Sequence, residues 1–248
     1  MFFSRFRGST SRPAAPRVPD GLRVYAIGDV HGRMDLLRPL LDQMAEDSMD
    51  ATRTQVIFLG DYIDRGGDSR AVLDTLIAGK QSQAWVCLKG NHEAMLLSAI
   101  DGAQEWEFWL ANGGLETLFS YGVSARELVS SGRSNELHDA VLAAVPPDHI
   151  EFLRNLDITL TLGDYFFCHA GVRPGVALDR QVQGDLLWIR EAFTHSNANH
   201  GKRIVHGHTP VMEAEILSNR INIDTGAYLT NRLSCVVLEG DEVRILHT

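Results

Sequence analysis

At 248 residues the chain has room for one large domain or two small ones, and a composition 44% apolar and 22% charged is that of a globular protein, not a disordered one. Counting 23 basic against 32 acidic residues leaves a formal net charge of -9, which argues against a nucleic-acid scaffold as partner. It leaves room for a small phosphorylated substrate, because a few local cations can reverse the potential inside one cleft.

Residues 1–20 are expected to form a flexible basic tail: Arg5, Arg7, Arg12 and Arg17 stand among prolines, with no acidic residue before Asp20. No stretch has the apolar length of a secretory leader or a membrane span, so no transmembrane segment is expected. Cys87, Cys168 and Cys235 are far apart and set in apolar runs. They read as buried free thiols, which favours a reducing, cytoplasmic location over a disulfide framework.

After the tail, residues 21–248 read as a single domain in which short β-rich runs end in polar residues. Residues 24–27 lead into Gly28 and Asp29, 56–59 into Gly60 and Asp61, and 85–88 into Lys89, Gly90, Asn91 and His92. Between them Leu36, Leu37, Leu40, Leu41 and Met44 share one helical face, as do Val72, Leu73, Leu76 and Ile77. This alternation predicts an α/β fold whose ligands gather at the carboxyl ends of strands. Residues from about 94 to 156 look mainly helical, interrupted at Gly113 and Gly114 and at Pro146 and Pro147, and are expected to form a helical cap or insertion beside the site. Beyond it, residues 165–168 end at His169, 204–205 at His206, Gly207 and His208, and 221–223 at Asp224. Residues 233–238 and 243–246 complete the sheets.

Each polar cluster has a bland reading when taken alone. Gly28-Asp29-Val30-His31-Gly32 is also a turn with a helix cap, Asp61, Asp64 and Arg65 also a surface loop with an ion pair, and Asn91 and His92 also a capped turn. The five motifs at Asp29, Asp61, Asn91, His169 and His206-Gly207-His208, built from Asp, His and Asn, are hard to explain as independent turns. Carboxylate, imidazole and amide donors together suit manganese, iron or zinc better than calcium. His138, His149, His195, His200 and His247 lack this setting and receive no metal role.

On these motifs the chain resembles the calcineurin-like metallophosphoesterases, specifically the phosphoprotein phosphatase branch with its bacterial and phage serine/threonine protein phosphatases, over roughly residues 22–230. The resemblance implies a four-layer α/β/β/α sandwich and two divalent metal ions, with manganese favoured. It implies that Asp29 and His31 hold one ion, that Asn91, His169 and His208 hold the other, and that Asp61 bridges both, the ions sharing a hydroxide that attacks phosphorus. His92 is then the acid that protonates the leaving oxygen, Asp64 the partner of its ring, and Arg65 and Arg190 the groups that grip phosphate. Arg190 follows Trp188 and Ile189 in a Trp-x-Arg pattern; its other reading is a surface ion pair on a half-buried helix. His206 is left at most behind the ligands.

The expected substrate is a phosphorylated protein or small phosphoester, serine/threonine phosphate first and tyrosine phosphate or dual specificity as variants. The rival is a dinucleoside polyphosphate or RNA-end pyrophosphohydrolase, against which the Asp64-Arg65-Gly66 triplet argues mildly. A noncatalytic metal-bound scaffold is disfavoured by retention of every expected position.

Overall fold

A computed structural model describes residues 15–102, 106–125, 127–128 and 131–248. Two five-stranded sheets form its centre. The first contains β1 (Leu22–Ile27), β2 (Arg53–Phe58), β3 (Val86–Cys87), β9 (Ser234–Glu239) and β10 (Glu242–His247) in the order β10-β9-β1-β2-β3. The second contains β4 (Thr159–Leu162), β5 (Tyr165–Cys168), β6 (Arg203–His206), β7 (Glu215–Ile216) and β8 (Arg220–Asn222) in the order β4-β5-β6-β8-β7. Strands β1, β2 and β3 run parallel, as do β5, β6 and β8, while the pairs β1–β9, β9–β10, β4–β5 and β7–β8 are antiparallel.

The two-residue period of each strand explains the layering. Along β1, Val24 and Ala26 face inward and pack with Ile57, Tyr165, Phe167, Val205 and Ile221 between the sheets. Tyr25 and Ile27 point the other way, against Leu37, Leu40 and Met44 of α1 (Met34–Asp47) and Val72, Leu73 and Leu76 of α2 (Ser69–Gln83). On the far side Phe166, Cys168 and Ile204 meet Leu186 and Ile189 of the segment containing α8 (Gln183–Trp188), and Phe193 of α9 (Glu191–Thr194). Both sheets therefore bury both faces, giving the expected four-layer α/β/β/α sandwich. Each fully buried aliphatic or phenyl side chain contributes on the order of 1.5–3 kcal/mol to holding these layers.

Between β3 and β4 lie α3 (Asn91–Asp101), α4 (Trp106–Trp109), α5 (Leu115–Ser120), α6 (Ser134–Ala144) and α7 (Pro147–Arg154), with α10 (Ala227–Thr230) following β8. A kink at Leu110–Gly114, where Gly113 takes φ 106°, separates α4 from α5.

Residues 1–14 of the expected tail lie outside the described residues. The remainder departs from a free tail: Val18 is buried and its N–H bonds Gly240 O at 3.0 Å, and Arg17 N–H donates to Asp164 Oδ2 at 2.9 Å. The physical reason is the valine, whose side chain extends the apolar layer between the sheets. All three cysteines are free and buried. No helix among the described residues is long and apolar enough to cross a membrane.

Candidate metal centre

The parallel strands deliver their following residues to one end of the sandwich, where turns must bend sharply to aim side chains at a common point. His31, Asp61, Asp64, Arg65 and His208 all have positive φ, between 46° and 73°, a region that L residues avoid; among the other described non-glycine residues only Ala84 and Asn231 share it. Such strain, of order 1–3 kcal/mol each, persists only where surrounding contacts impose it. Two glycines make the crowding possible. A Cβ on Gly60 would fall 2.5 Å from Gly90 N, and one on Gly90 would fall 2.2 Å from Asp61 Oδ1.

Asp61 occupies the middle. Its Oδ2 lies 3.6 Å from His31 Nε2 and its Oδ1 3.4 Å from His169 Nε2, so each oxygen serves a different imidazole. Two groups of metal-binding atoms share it: His31, Asp61 and His92, and Asp61, His169 and His208, with ligand atoms in each group within 4.8 Å of one another. Asn91 Oδ1 joins the second at 2.9 Å from His169 Nε2. Asp29 is a member of neither group; it accepts the backbone N–H of His208 at 3.1 Å.

The donor set fits metal ions. His31 Nδ1 lies 2.9 Å from Ile63 O and His169 Nδ1 3.0 Å from Leu59 O; a carbonyl can only accept, so each Nδ1 carries the proton and each Nε2 keeps a lone pair on the Asp61 side, where an ion could take it. Buried His208 Nε2 has no hydrogen-bond partner. Burial pushes the His31 imidazole down to about 3 and lowers His169 and His208 as well, leaving all three neutral at physiological pH. Burial also opposes the Asp61 charge, but once acid has protonated the surrounding imidazoles, the charges on His169, His92, His31 and His208 outweigh it and hold that carboxyl below its usual range. Asp29 is held up by burial, by Asp224 and by Asp61. Crowded buried carboxylates facing neutral imidazoles are an arrangement that divalent cations relieve.

His92 differs from the other imidazoles. Its Nδ1 is 2.7 Å from Asp64 Oδ2, and its Nε2 faces Asp61 at 3.8 Å. Burial disfavours its cation, but Asp61 and Asp64 prevail and raise its pKa. Arg65 lies beside this pair, its Nη1 3.1 Å from His31 Nε2. Arg190 is exposed at the start of α9. Its charge nevertheless reaches His169 and His208. His206 belongs to neither metal group; its ring lies edge-on to Phe193, centroids 5.0 Å apart.

Four residues that contribute here, Trp109, Thr117, Glu93 and Asp224, are absent from the expected site set. Asp64 receives Trp109 Nε1–H at 2.9 Å and Thr117 Oγ1–H at 2.7 Å, both from the helical insertion. The wholly buried Glu93 carboxylate accepts the N–H groups of Gly90 (2.8 Å), Asp61 (2.9 Å) and Tyr62 (2.7 Å), clamping the turn that carries Asp61 to the start of α3. Asp224 is buried near Asp29 and Asp61, its carboxyl pushed up to about 6 by burial, against an N–H from Gly226. The Gly-Asn-His-Glu run was the available signal for Glu93, and the strand-end position for Asp224; Trp109 and Thr117 had none in the local sequence.

Fold and site together define a phosphoester hydrolase of the kind that works with paired divalent metals. Residues 22–228 match the calcineurin-like phosphoesterases, and the chain belongs to that family. Serine/threonine-protein phosphatase 2 of Escherichia coli (strain K12) is 30% identical over 221 residues, covering 85% of this chain and 90% of that protein. The asymmetrical bis(5'-nucleosyl)-tetraphosphatase of Oceanobacillus iheyensis is 26% identical over 233 residues, covering 86% and 87% respectively. In fold, the chain is similar to the cold-active protein-tyrosine phosphatase of a psychrophilic Shewanella, with a TM-score of 0.58 and 16% identity over 94% of this chain and 82% of that one.

Proposed function

We propose that this hydrolase is a phosphomonoesterase acting on phosphoserine and phosphothreonine in proteins, with tyrosine phosphate or dual specificity as the nearest variants. The observation that carries this reading is the His92–Asp64 pair, whose imidazole borders Asp61 and His31 and is held through Nδ1 by a carboxylate outside both metal-binding groups. A seryl or threonyl alkoxide is a poor leaving group and needs a proton as its bond to phosphorus breaks, whereas a polyphosphate leaves as a stabilised anion. An imidazole whose Nδ1–H is fixed on a buried carboxylate and whose pKa is raised suits the first task.

Asp29, His31, Asp61, Asn91, His169 and His208 would hold two divalent ions, for which the imidazole and amide donors favour manganese, with iron or zinc also compatible. When bound, the ions activate water as Lewis acids and neutralise phosphoryl charge. Arg65 and Arg190 supply planar forks that orient the phosphate oxygens. His92 gives its Nε2 proton to the departing oxygen, and Asp64 stabilises the imidazolium before that transfer.

A second reading, hydrolysis of dinucleoside polyphosphates, has support from the Oceanobacillus relative. Parallel turnover of phosphoserine, phosphothreonine and phosphotyrosine peptides and of diadenosine tetraphosphate, with manganese supplied, separates the two. Highest kcat/KM on a phosphoserine or phosphothreonine peptide is expected; highest kcat/KM on diadenosine tetraphosphate would replace the first reading by the second.

A further inference from the structure

We infer that Tyr228 is a positioning residue for phosphate binding, acting through Arg65; the inference rests on the reading of Arg65 as a phosphate-gripping group. The Arg65 guanidinium carbon lies 4.4 Å from the centroid of the Tyr228 ring. A ring lying over the guanidinium carbon can restrain the fork through its face; Nη1 lies 3.1 Å from His31 Nε2, and the remaining N–H donors can turn to a phosphate. The same tyrosine stands edge-on to His31, ring centroids 5.2 Å apart. It therefore touches both the phosphate-binding arginine and one of the residues that would hold metal.

Neither partner of the stack is loose. Arg65 has φ 68° and its N–H bonds Gly113 O at 3.1 Å; a Cβ on Gly113 would come within 2.7 Å of Arg65 Cγ. That contact closes one side of the arginine stem and leaves Tyr228 on its guanidinium. Tyr228 sits on α10, a single turn entered through Gly226 at φ 65° and left through Asn231 at φ 58°. Thr230 Oγ1–H ties the turn to Thr225 O at 2.7 Å, and Arg33 Nη1–H reaches Ala227 O at 2.7 Å while Asp35 grips the same guanidinium through two further bonds. The loop carrying His31 and the turn carrying Tyr228 are thus fastened together two residues from His31. A half-buried tyrosine on a pinned platform can hold a guanidinium orientation that a flexible arginine stem could not keep alone.

The test is calorimetric binding of inorganic phosphate to manganese-loaded protein in a double-mutant cycle, beside the unfolding midpoint and metal content of each variant. Tyr228→Phe retains the aromatic face and should stay within about twofold of wild type, whereas Tyr228→Leu should weaken phosphate binding about 3- to 10-fold with its metal content unchanged. In an Arg65→Ala background, Tyr228→Leu should add nothing, because the group it orients is gone. A leucine variant that binds phosphate as wild type does, or an equal loss in both backgrounds, overturns the positioning role alone. An Arg65→Ala protein with wild-type phosphate affinity overturns the underlying reading of Arg65 as well. Tyr228→Gln, which also removes the ring, takes the place of the leucine variant if that protein misfolds.

Discussion

His92 Nδ1 and Asp64 Oδ2 lie 2.7 Å apart at a point where the carboxylate is wholly withdrawn from solvent. Asp64 also accepts from Trp109 and Thr117, so it is held by the helical insertion as firmly as by the turn after β2. Its fixed position sets the His92 tautomer and aims Nε2 toward the metal-binding groups.

Replacing His92 by Asn should therefore affect substrates unequally. General acid catalysis contributes about 100- to 10,000-fold, so a phosphoserine peptide should lose most of its turnover while the protein still binds two metal ions. Nitrophenyl phosphate, whose leaving group departs with little protonation, should lose far less. Comparing kcat on the two substrates in metal-replete wild type and variant is the check; equal fractional losses, or loss of an ion, would assign His92 to positioning or ligation.

Asp61 and Arg190 should fail in different ways. Asp61 offers one oxygen toward His31 and the other toward His169, so Asp61→Asn should lower the metal content of both halves together. Arg190→Ala should leave metal content intact and impair phosphate binding or kcat. Elemental analysis beside steady-state kinetics reads both defects, and wild-type kcat and KM in the Arg190 variant would remove that arginine from the site.

His31, Asp61, Asn91, His169 and His208, which the fold brings together, were legible as a cluster because each follows an apolar strand run and combines residue types seldom placed together for structure alone. Trp109 and Thr117 were not: they lie 45 and 53 residues from Asp64 and reach it only through tertiary packing. Tyr228 was hidden for a similar reason, since a tyrosine in a short turn carries no local pattern that predicts a stacked arginine. The layers followed from strand alternation, but β4, with its intermediate and exposed side chains, and the two-residue β7 had too little pattern to read. Val18 shows the converse, one apolar residue anchoring a segment whose composition read as free tail.

Glu93 supplies the clamp beneath Asp61. Glu93→Gln keeps the shape but turns one acceptor into a donor, so at least one of the backbone N–H groups of Gly90, Asp61 or Tyr62 must lose its partner. A buried unsatisfied group costs about 1–3 kcal/mol. Urea unfolding should report a loss in that range, accompanied by weaker metal retention; unchanged values of both would show that the clamp is dispensable.

Away from the site, Asp47 predicts a pH dependence of stability. It accepts two bonds from Arg244, at 2.6 and 2.7 Å, and one from Tyr25 OH at 2.6 Å; Arg244, against an opposing effect of burial, lowers its pKa. A carboxylate depressed in the folded state stabilises the fold above the ordinary aspartate value of 3.8 and loses that contribution as pH falls through its folded value. Asp47→Asn should be less stable than wild type at pH 7, by about 1–3 kcal/mol, with the gap narrowing as acid is added below pH 4. Paired denaturation curves across pH test the sign; a gap that widens in acid would reverse it.

The most direct measurement is phosphopeptide turnover against the number of metal ions bound per chain, beginning from chelated protein and adding manganese or magnesium. The account predicts no activity without metal, full activity only at two ions per chain, and greater recovery with manganese, because imidazole and amide donors suit a transition metal better than a hard, water-retaining ion. Full turnover by protein shown to contain no metal would contradict the two-metal site.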